Sequence, residues 1–326
     1  MMPAHSIPVA RYRLSAQLQD DIVLPDYAGS LLRGQFGAAL RNLSCTTQKP
    51  SCGGCPALIT CTYSQLFEAP APATYGLQKF SHIPAAYVIE PPSMQESTQR
   101  CAGEHLQFGM VLAGAARDQL PLLLLAWQRA LAEGLTRSRS RAELLQVEWL
   151  DADKQAHSVW QRKLSQSLVD HPAVLNLPTA ASELESITLQ IHTPMRLQHQ
   201  GQPLFAHNLS PRTLVAALAR RIALVLDFHA QQPGWGKAVP QLARLAETLH
   251  DQRELYWHDW QRYSSRQEQE MPLGGVVGRW TLYADSGTLA ILWPWLWLGQ
   301  WLHVGKNATM GMGAYTLTVS DRATVA

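Results

Sequence analysis

Apolar and polar positions alternate, or recur at helical spacing, in two successive cycles along the chain. From Val9 to Leu14, within residues 9–18, they alternate with the period of a half-buried strand. Leu32, Phe36, Leu40 and Leu43 then fall at helical spacing, which predicts a helix over 27–43 with Asp26 as its N-cap. Extended segments follow near 85–91 and 105–113, then a leucine-rich helix carrying Trp127 over 118–134, and a strand over 143–150. The order β, α, β, β, α, β is the split β-α-β of ferredoxin-like domains. Polar residues 151–183, holding Pro172 and Pro178, predict a connection with a helix near 156–169. A second cycle follows: a strand over 186–197, helices over 211–230 and 238–260, a strand over 273–283, a partly helical tryptophan-rich segment over 287–304, and a closing strand after a glycine loop.

Composition narrows the class. The chain has 326 residues, 46% hydrophobic and 16% charged, against about 25% charged in a typical globular protein, so it is not a disordered or coiled-coil protein. Its apolar runs, 120–126 and 289–298, are short or broken by Pro294, and no membrane association is expected. The N-terminus lacks a charged start followed by an apolar stretch, so a cytoplasmic location is expected. A net charge of +2 excludes a strongly basic nucleic-acid coat while allowing a local basic groove.

Four of the five cysteines, Cys45, Cys52, Cys55 and Cys61, form a C-x6-C-x2-C-x5-C cluster within 45–61. Four thiolates suffice for one tetrahedral zinc, and Cys52-Gly53-Gly54-Cys55 is a tight knuckle able to face two sulfurs to one ion. The spacing equally suits an iron–sulfur cluster. Four reduced cysteines or two disulfides are the plain alternative, the disulfides disfavoured in a reducing compartment. A closed four-thiolate site orders a loop and performs no catalysis.

Gly305, Lys306, Gly311 and Gly313 precede the closing strand, a loop whose amides and cation suit a phosphate. It lacks the Walker pattern and the dinucleotide fingerprint, and a glycine-rich hairpin or bulge before an edge strand explains it equally well. Trp257, Trp260, Arg262, Tyr263 and Arg266 crowd a short segment, a mixture that either stacks on bases and binds phosphates or packs a core with solvated arginines. Arg33, Gly37 and Arg41 share one face of the first predicted helix, two cations flanking a residue without a side chain, so that a ligand could approach the backbone there.

Leu32-Arg33-Gly34-x-Phe36-Gly37-x-Ala39-Leu40-Arg41, Cys61-x-Tyr63-x-x-Leu66-Phe67-Glu68, Arg262-Tyr263-Ser264-x-Arg266, Leu273-Gly274-Gly275-x-x-Gly278, and Leu302-His303-Val304-Gly305-Lys306 with Gly311-x-Gly313 occur in this order. So arranged, they resemble the CRISPR precursor-RNA processing endoribonucleases of the RAMP superfamily over nearly the whole chain. The resemblance implies an α+β fold of tandem ferredoxin-like (RRM-like) domains, 1–183 with the four-cysteine metal-binding insertion at 45–61 and 184–326 with the glycine-rich loop. It also implies metal-independent cleavage of CRISPR repeat RNA to guide RNA (crRNA): a ribose 2′-hydroxyl attacks the adjacent phosphate, leaving a 2′,3′-cyclic phosphate and a 5′-hydroxyl. Such chemistry needs a base, an acid and a cation. Many relatives carry a histidine on or just after the first helix, whereas this chain has none between His5 and His82. The candidate catalytic histidines are therefore His82 and His303, with Tyr27 and Tyr263 as fallback acids or bases. Arg33 and Lys306 would stabilise the phosphate, and Arg41, Arg262, Arg266 and the amides of Gly305, Gly311 and Gly313 would hold the RNA backbone. The expected partners are repeat RNA and other Cas proteins of an effector complex. The expected cofactor is a structural zinc or an iron–sulfur cluster at the cysteines, with no metal in the cleavage. The rival reading is a non-catalytic RAMP subunit that binds guide RNA without cutting it.

Overall fold

The computed structural model describes residues 6–69, 83–163, 167–180, 183–264 and 269–321. The chain divides into two compact units, one of Ile7–Leu175 with Phe228–Gln231, the other of Asn176–Asp227 with the chain from Gln232 onward.

In the first unit, β1 (Val9–Leu18) leads to α1 (Gly29–Ser44) and a short α2 (Thr62–Phe67). Then come β2 (Tyr87–Glu90), β3 (His105–Ala113), α3 (Leu120–Glu133), β4 (Ala142–Leu150) and β5 (Ala156–Gln161). The strands form one antiparallel sheet in the order β2-β3-β1-β4-β5. Without its edge strand β5, this is the connectivity that the β, α, β, β, α, β pattern demands. The helix expected near 156–169 is instead β5, paired along β4 from Gln146↔Gln161 to Leu150↔Ala156. An edge strand needs a partner on one side only, so its sparse apolar pattern does not announce it. Asp26 is not the cap of α1: the helix begins at Gly29 after Ala28, with no side-chain cap. Its buried face of Leu32, Phe36, Ala39 and Leu40 meets α3, where Phe36 stacks on Trp127 at 4.7 Å between centroids. Phe108 of β3 lies 4.6 Å from the same indole, whose N–H donates to Met110 Sδ at 3.4 Å.

The second unit repeats the plan. Its elements are β6 (Leu184–Met195), α4 (Pro211–His229), α5 (Val239–Leu245), β7 (His250–Ser264), β8 (Gln269–Tyr283), α6 (Ser286–Leu302) and β9 (Tyr315–Asp321). The sheet order is β7-β8-β6-β9, all antiparallel. The helix expected over 238–260 ends at Leu245, and a long strand takes over. Aromatic residues at 256, 257 and 260 imitate a helical stripe, but β7 pairs with β8 from His250↔Tyr283 to Ser264↔Gln269, and this ladder overrides the local period. Helix α6 starts at an Asp285 cap, whose carboxylate accepts from the Thr288 amide at 2.9 Å, and it tolerates Pro294 in its interior. Trp295 packs edge-on against Trp235 at 5.1 Å. No helix among the described residues is long and apolar enough to cross a membrane.

Gly299 on α6 is required by packing: a Cβ there would lie 2.0 Å from the Tyr315 hydroxyl, which donates to Leu296 O at 2.6 Å. Gly34 on α1 has open space around it. Gly299→Ala is expected to cost about 1–3 kcal/mol through overpacking, whereas Gly34→Ala should stabilise by about 0.5–1 kcal/mol through lost backbone freedom in the unfolded chain. Urea titration of both variants checks the pair; equal midpoints would refute the packing argument.

Candidate nucleic-acid interface and cysteine cluster

The first unit carries the arginine stripe. Arg33 Nε donates to the Tyr87 hydroxyl at 3.0 Å, and its guanidinium lies over the Phe67 ring at 5.2 Å. Burial pushes the Tyr87 phenol up to about 12, so the hydroxyl stays protonated beside the cation. Arg41 lies over the Tyr63 ring at 5.8 Å and donates to the Lys49 carbonyl. The notch at Gly37 is not open to a ligand: the Phe67 ring sits 2.8 Å from where a Cβ would be. Tyr63 stacks on Phe67 at 5.0 Å with 7° between planes. Gly37 is thus the seat of α2 against α1, and both arginines keep a half-buried position against aromatic faces. Tyr27 is buried.

The four cysteines line one small pocket beside Tyr63 and Ser64. None is in a disulfide, and each is half-buried. Backbone hydrogen bonds from Gln48 and Thr47, with Arg41 nearby, hold the Cys45 thiol below its ordinary range, while burial, together with Glu68, pushes Cys52 up. No three His, Cys, Asp or Glu among the described residues stand together at metal-binding separations.

In the second unit, the loop between α6 and β9 is built by close backbone approach. Gly305 at φ 95° would place a Cβ 2.5 Å from Arg196 O, and Gly313 at φ 72° would place one 1.9 Å from Val304 O. The amides expected to face phosphate turn inward: Gly311 N donates to Ala308 O at 2.9 Å and Gly313 N to Pro194 O at 3.1 Å. Those two glycines are buried and serve backbone packing. Lys306 is different, since its amide bonds Arg196 O while its side chain is exposed. His303 is only 1% exposed, with Nδ1 3.3 Å from Met312 O, so its ring is enclosed rather than presented to a phosphate. His82 and Arg266 lie outside the described residues, and Arg262 takes its place on β7 opposite Met271.

The structure also gathers residues that the sequence reading passed over. Arg196, at the end of β6, lies over the Trp257 ring at 6.0 Å, and exposed Phe205 packs on Trp257 at 4.4 Å. His207 stacks beside Phe205 at 6.1 Å between centroids. Arg196 also donates to Gly274 O at 3.0 Å and accepts from the Lys306 amide through its carbonyl. Arg196 thereby links the aromatic shelf, through its side chain, to the backbone of Lys306. Nothing in the local pattern of 196–207 announces this, because the partners come from β7 and the glycine loop.

Two family models match. One, for CRISPR-associated endoribonuclease Cas6, covers residues 189–315, and one for an N-terminal domain covers residues 7–173. No curated protein matches the chain in sequence. Among solved structures, a Cas6 product complex is 18% identical, with 95% of this chain and 99% of that one covered at a TM-score of 0.56. Thermus thermophilus Cas6 is also 18% identical, with 97% and 100% covered at a TM-score of 0.52. A partial Cas6-RT-Cas1–Cas2 complex is 16% identical at a TM-score of 0.56, with 98% of this chain covering 47% of that one. At these identities the likeness carries the fold alone: two successive α+β units, as in those Cas6 structures. Residues 189–315 carry a domain of the CRISPR-associated endoribonuclease Cas6 family.

The junction of α6 and the loop is also held by a part-buried side-chain contact. Arg221 of α4 donates through Nε to Leu302 O at 2.7 Å, and burial lowers its pKa to about 10. The guanidinium caps a helix C-terminus whose carbonyls attract a cation. Arg221→Met should lower stability by about 1–3 kcal/mol by leaving a buried carbonyl unpaired, measured as a lower urea midpoint; an unchanged midpoint would show that the contact contributes nothing.

Proposed function

We propose that this chain binds CRISPR repeat RNA on tandem ferredoxin-like domains and cleaves it to guide RNA by attack of a ribose 2′-hydroxyl on the adjacent phosphate. The products are a 2′,3′-cyclic phosphate and a 5′-hydroxyl, with no metal in the step. The observation that carries the reading is the match of residues 189–315 to the Cas6 endoribonuclease model, in a unit that also presents Lys306, Arg196 and an exposed aromatic shelf. Bases stack on such shelves while cations neutralise the phosphates between them. Lys306 in the second unit and Arg33 in the first would each neutralise phosphate charge, with Arg41, Arg262, Arg266 and Gly305 as further candidates for contact with the RNA backbone. His82 takes the role of proton acceptor. His303, being enclosed, positions the glycine loop through Met312 instead of exchanging a proton with RNA. The likeness to a complex that contains Cas1 and Cas2 supports other Cas proteins as partners.

The burial of His303 favours a second reading, a guide-RNA-binding subunit without cleavage activity. One experiment separates the two: incubation with end-labelled repeat RNA in EDTA, then mapping of the termini. Discrete cuts with a 5′-hydroxyl and a 2′,3′-cyclic end, abolished by His82→Ala, support the nuclease; tight binding without cuts supports the subunit.

Binding itself yields two expectations. Lys306→Ala should weaken RNA binding alike across repeats and reduce the slope of log affinity against log salt by about 0.7–1, one phosphate contact. Phe205→Ala should cost about 1–3 kcal/mol of binding to single-stranded repeat RNA while leaving that slope unchanged. Fluorescence anisotropy over a salt series reads both, and a Phe205 variant that binds like the parent removes the shelf from the interface.

A further inference from the structure

We infer that Cys45, Cys52, Cys55 and Cys61 bind one zinc ion, which clasps α2 onto α1 and so fixes Arg33 and Arg41 in place. This inference is independent of whether the chain cuts RNA.

The argument begins with where the backbone delivers the four residues. Cys45 leaves the last turn of α1, its amide donating to Arg41 O at 2.8 Å. Cys52 and Cys55 flank Gly53-Gly54, and the Cys55 amide bonds Cys52 O at 3.0 Å, closing a tight turn around the two glycines. Cys61 occupies the cap position of α2. Three separate backbone features thus direct four thiols into one pocket, and no other residue type able to bind a soft cation lines it.

The surroundings suit thiolates. Backbone hydrogen bonds from Gln48 and Thr47 reach the Cys45 sulfur, the N–H to sulfur pattern that orients a ligating cysteine. The Thr47 hydroxyl lies 3.3 Å from Cys55 Sγ and 3.9 Å from Cys45 Sγ. Ser64 lines the same pocket, is 1% exposed, and its hydroxyl has no hydrogen-bond partner among the described residues. A buried donor without an acceptor is costly, and a thiolate would accept from it. Four thiolates around a divalent ion carry a net charge of about −2, and Lys49 at the pocket with Arg41 at its edge offset it. The sulfurs close on the ion by side-chain rotation, each thiol losing its proton to solvent.

The consequence reaches the proposed RNA face. Cys61 starts α2, whose Phe67 seats in the Gly37 notch and whose Tyr63 stacks on Phe67. Arg33 and Arg41 lie over those two rings. A helix of six residues does not persist alone, so an ion at its first turn supplies the restraint that keeps the rings under the arginines.

The test uses the full chain purified without added metal. Elemental analysis should find about one zinc per chain, and the native protein should present one fast-reacting thiol, the exposed Cys101, with all five reacting after denaturation in a chelator. Cys101→Ser should keep the zinc and show no fast thiol. Five fast thiols in the native protein without bound zinc would overturn the inference. So would iron with acid-labile sulfide and absorption near 400 nm, which would assign the site to a cluster. Cys61→His, which keeps a ligand, should retain zinc where Cys61→Ser loses it; equal metal content in the two would also overturn the site. Metal content and thiol counts do not depend on RNA cleavage, so this inference and the nuclease reading fail separately.

Discussion

The arrangement of the second unit depends on backbone passing backbone at distances that only glycine permits. Val304 O stands 1.9 Å from the place a side chain would occupy on Gly313, and Arg196 O stands 2.5 Å from the same place on Gly305. Because of these two contacts, the end of α6, the loop after it and the end of β6 interleave, and β9 enters the sheet in register beside β6. The Leu302 carbonyl held by Arg221 fixes the same junction from the helix side. What reaches the surface afterwards is the side chain of Lys306, together with half-buried Arg196 and the aromatic shelf. The glycines shape the turn that presents a cation.

An aromatic counterpart operates in the first unit. Phe67 fills the notch at Gly37, and the stacked Tyr63 extends the surface on which two arginines rest. Guanidinium groups over aromatic faces keep their charge while losing conformational freedom, so part of the cost of ordering both arginines on an anion is already met by the fold. Both units therefore present cations from positions fixed by packing, in a chain whose net charge is only +2. The chain concentrates cations by placement rather than by charge excess.

The α+β order of the first unit was legible because each of its main elements repeats a clean period: alternation in β1, helical spacing through Leu32, Phe36 and Leu40, a leucine-rich α3. Strands β5 and β7 were not. Both lie at sheet edges, where one side of the ladder is open to water and the apolar pattern thins, and in β7 the spacing of Tyr256, Trp257 and Trp260 reads as a helix. Only the pairing with β8, fifteen residues long, decides the matter.

The cysteine quartet, the glycine-lysine loop and the family motifs were set by the sequence alone, because spacing along the chain is itself the signal for ligands and tight turns. Tertiary structure decided which of the motif residues face outward. It turned the amides of Gly311 and Gly313 inward, enclosed His303, filled the Gly37 notch with Phe67, and brought Arg196, Phe205 and Trp257 together from separate elements. The physical reason is that local spacing fixes which residues share a turn or a helix face, whereas exposure and contact depend on which distant backbone passes within a few ångströms.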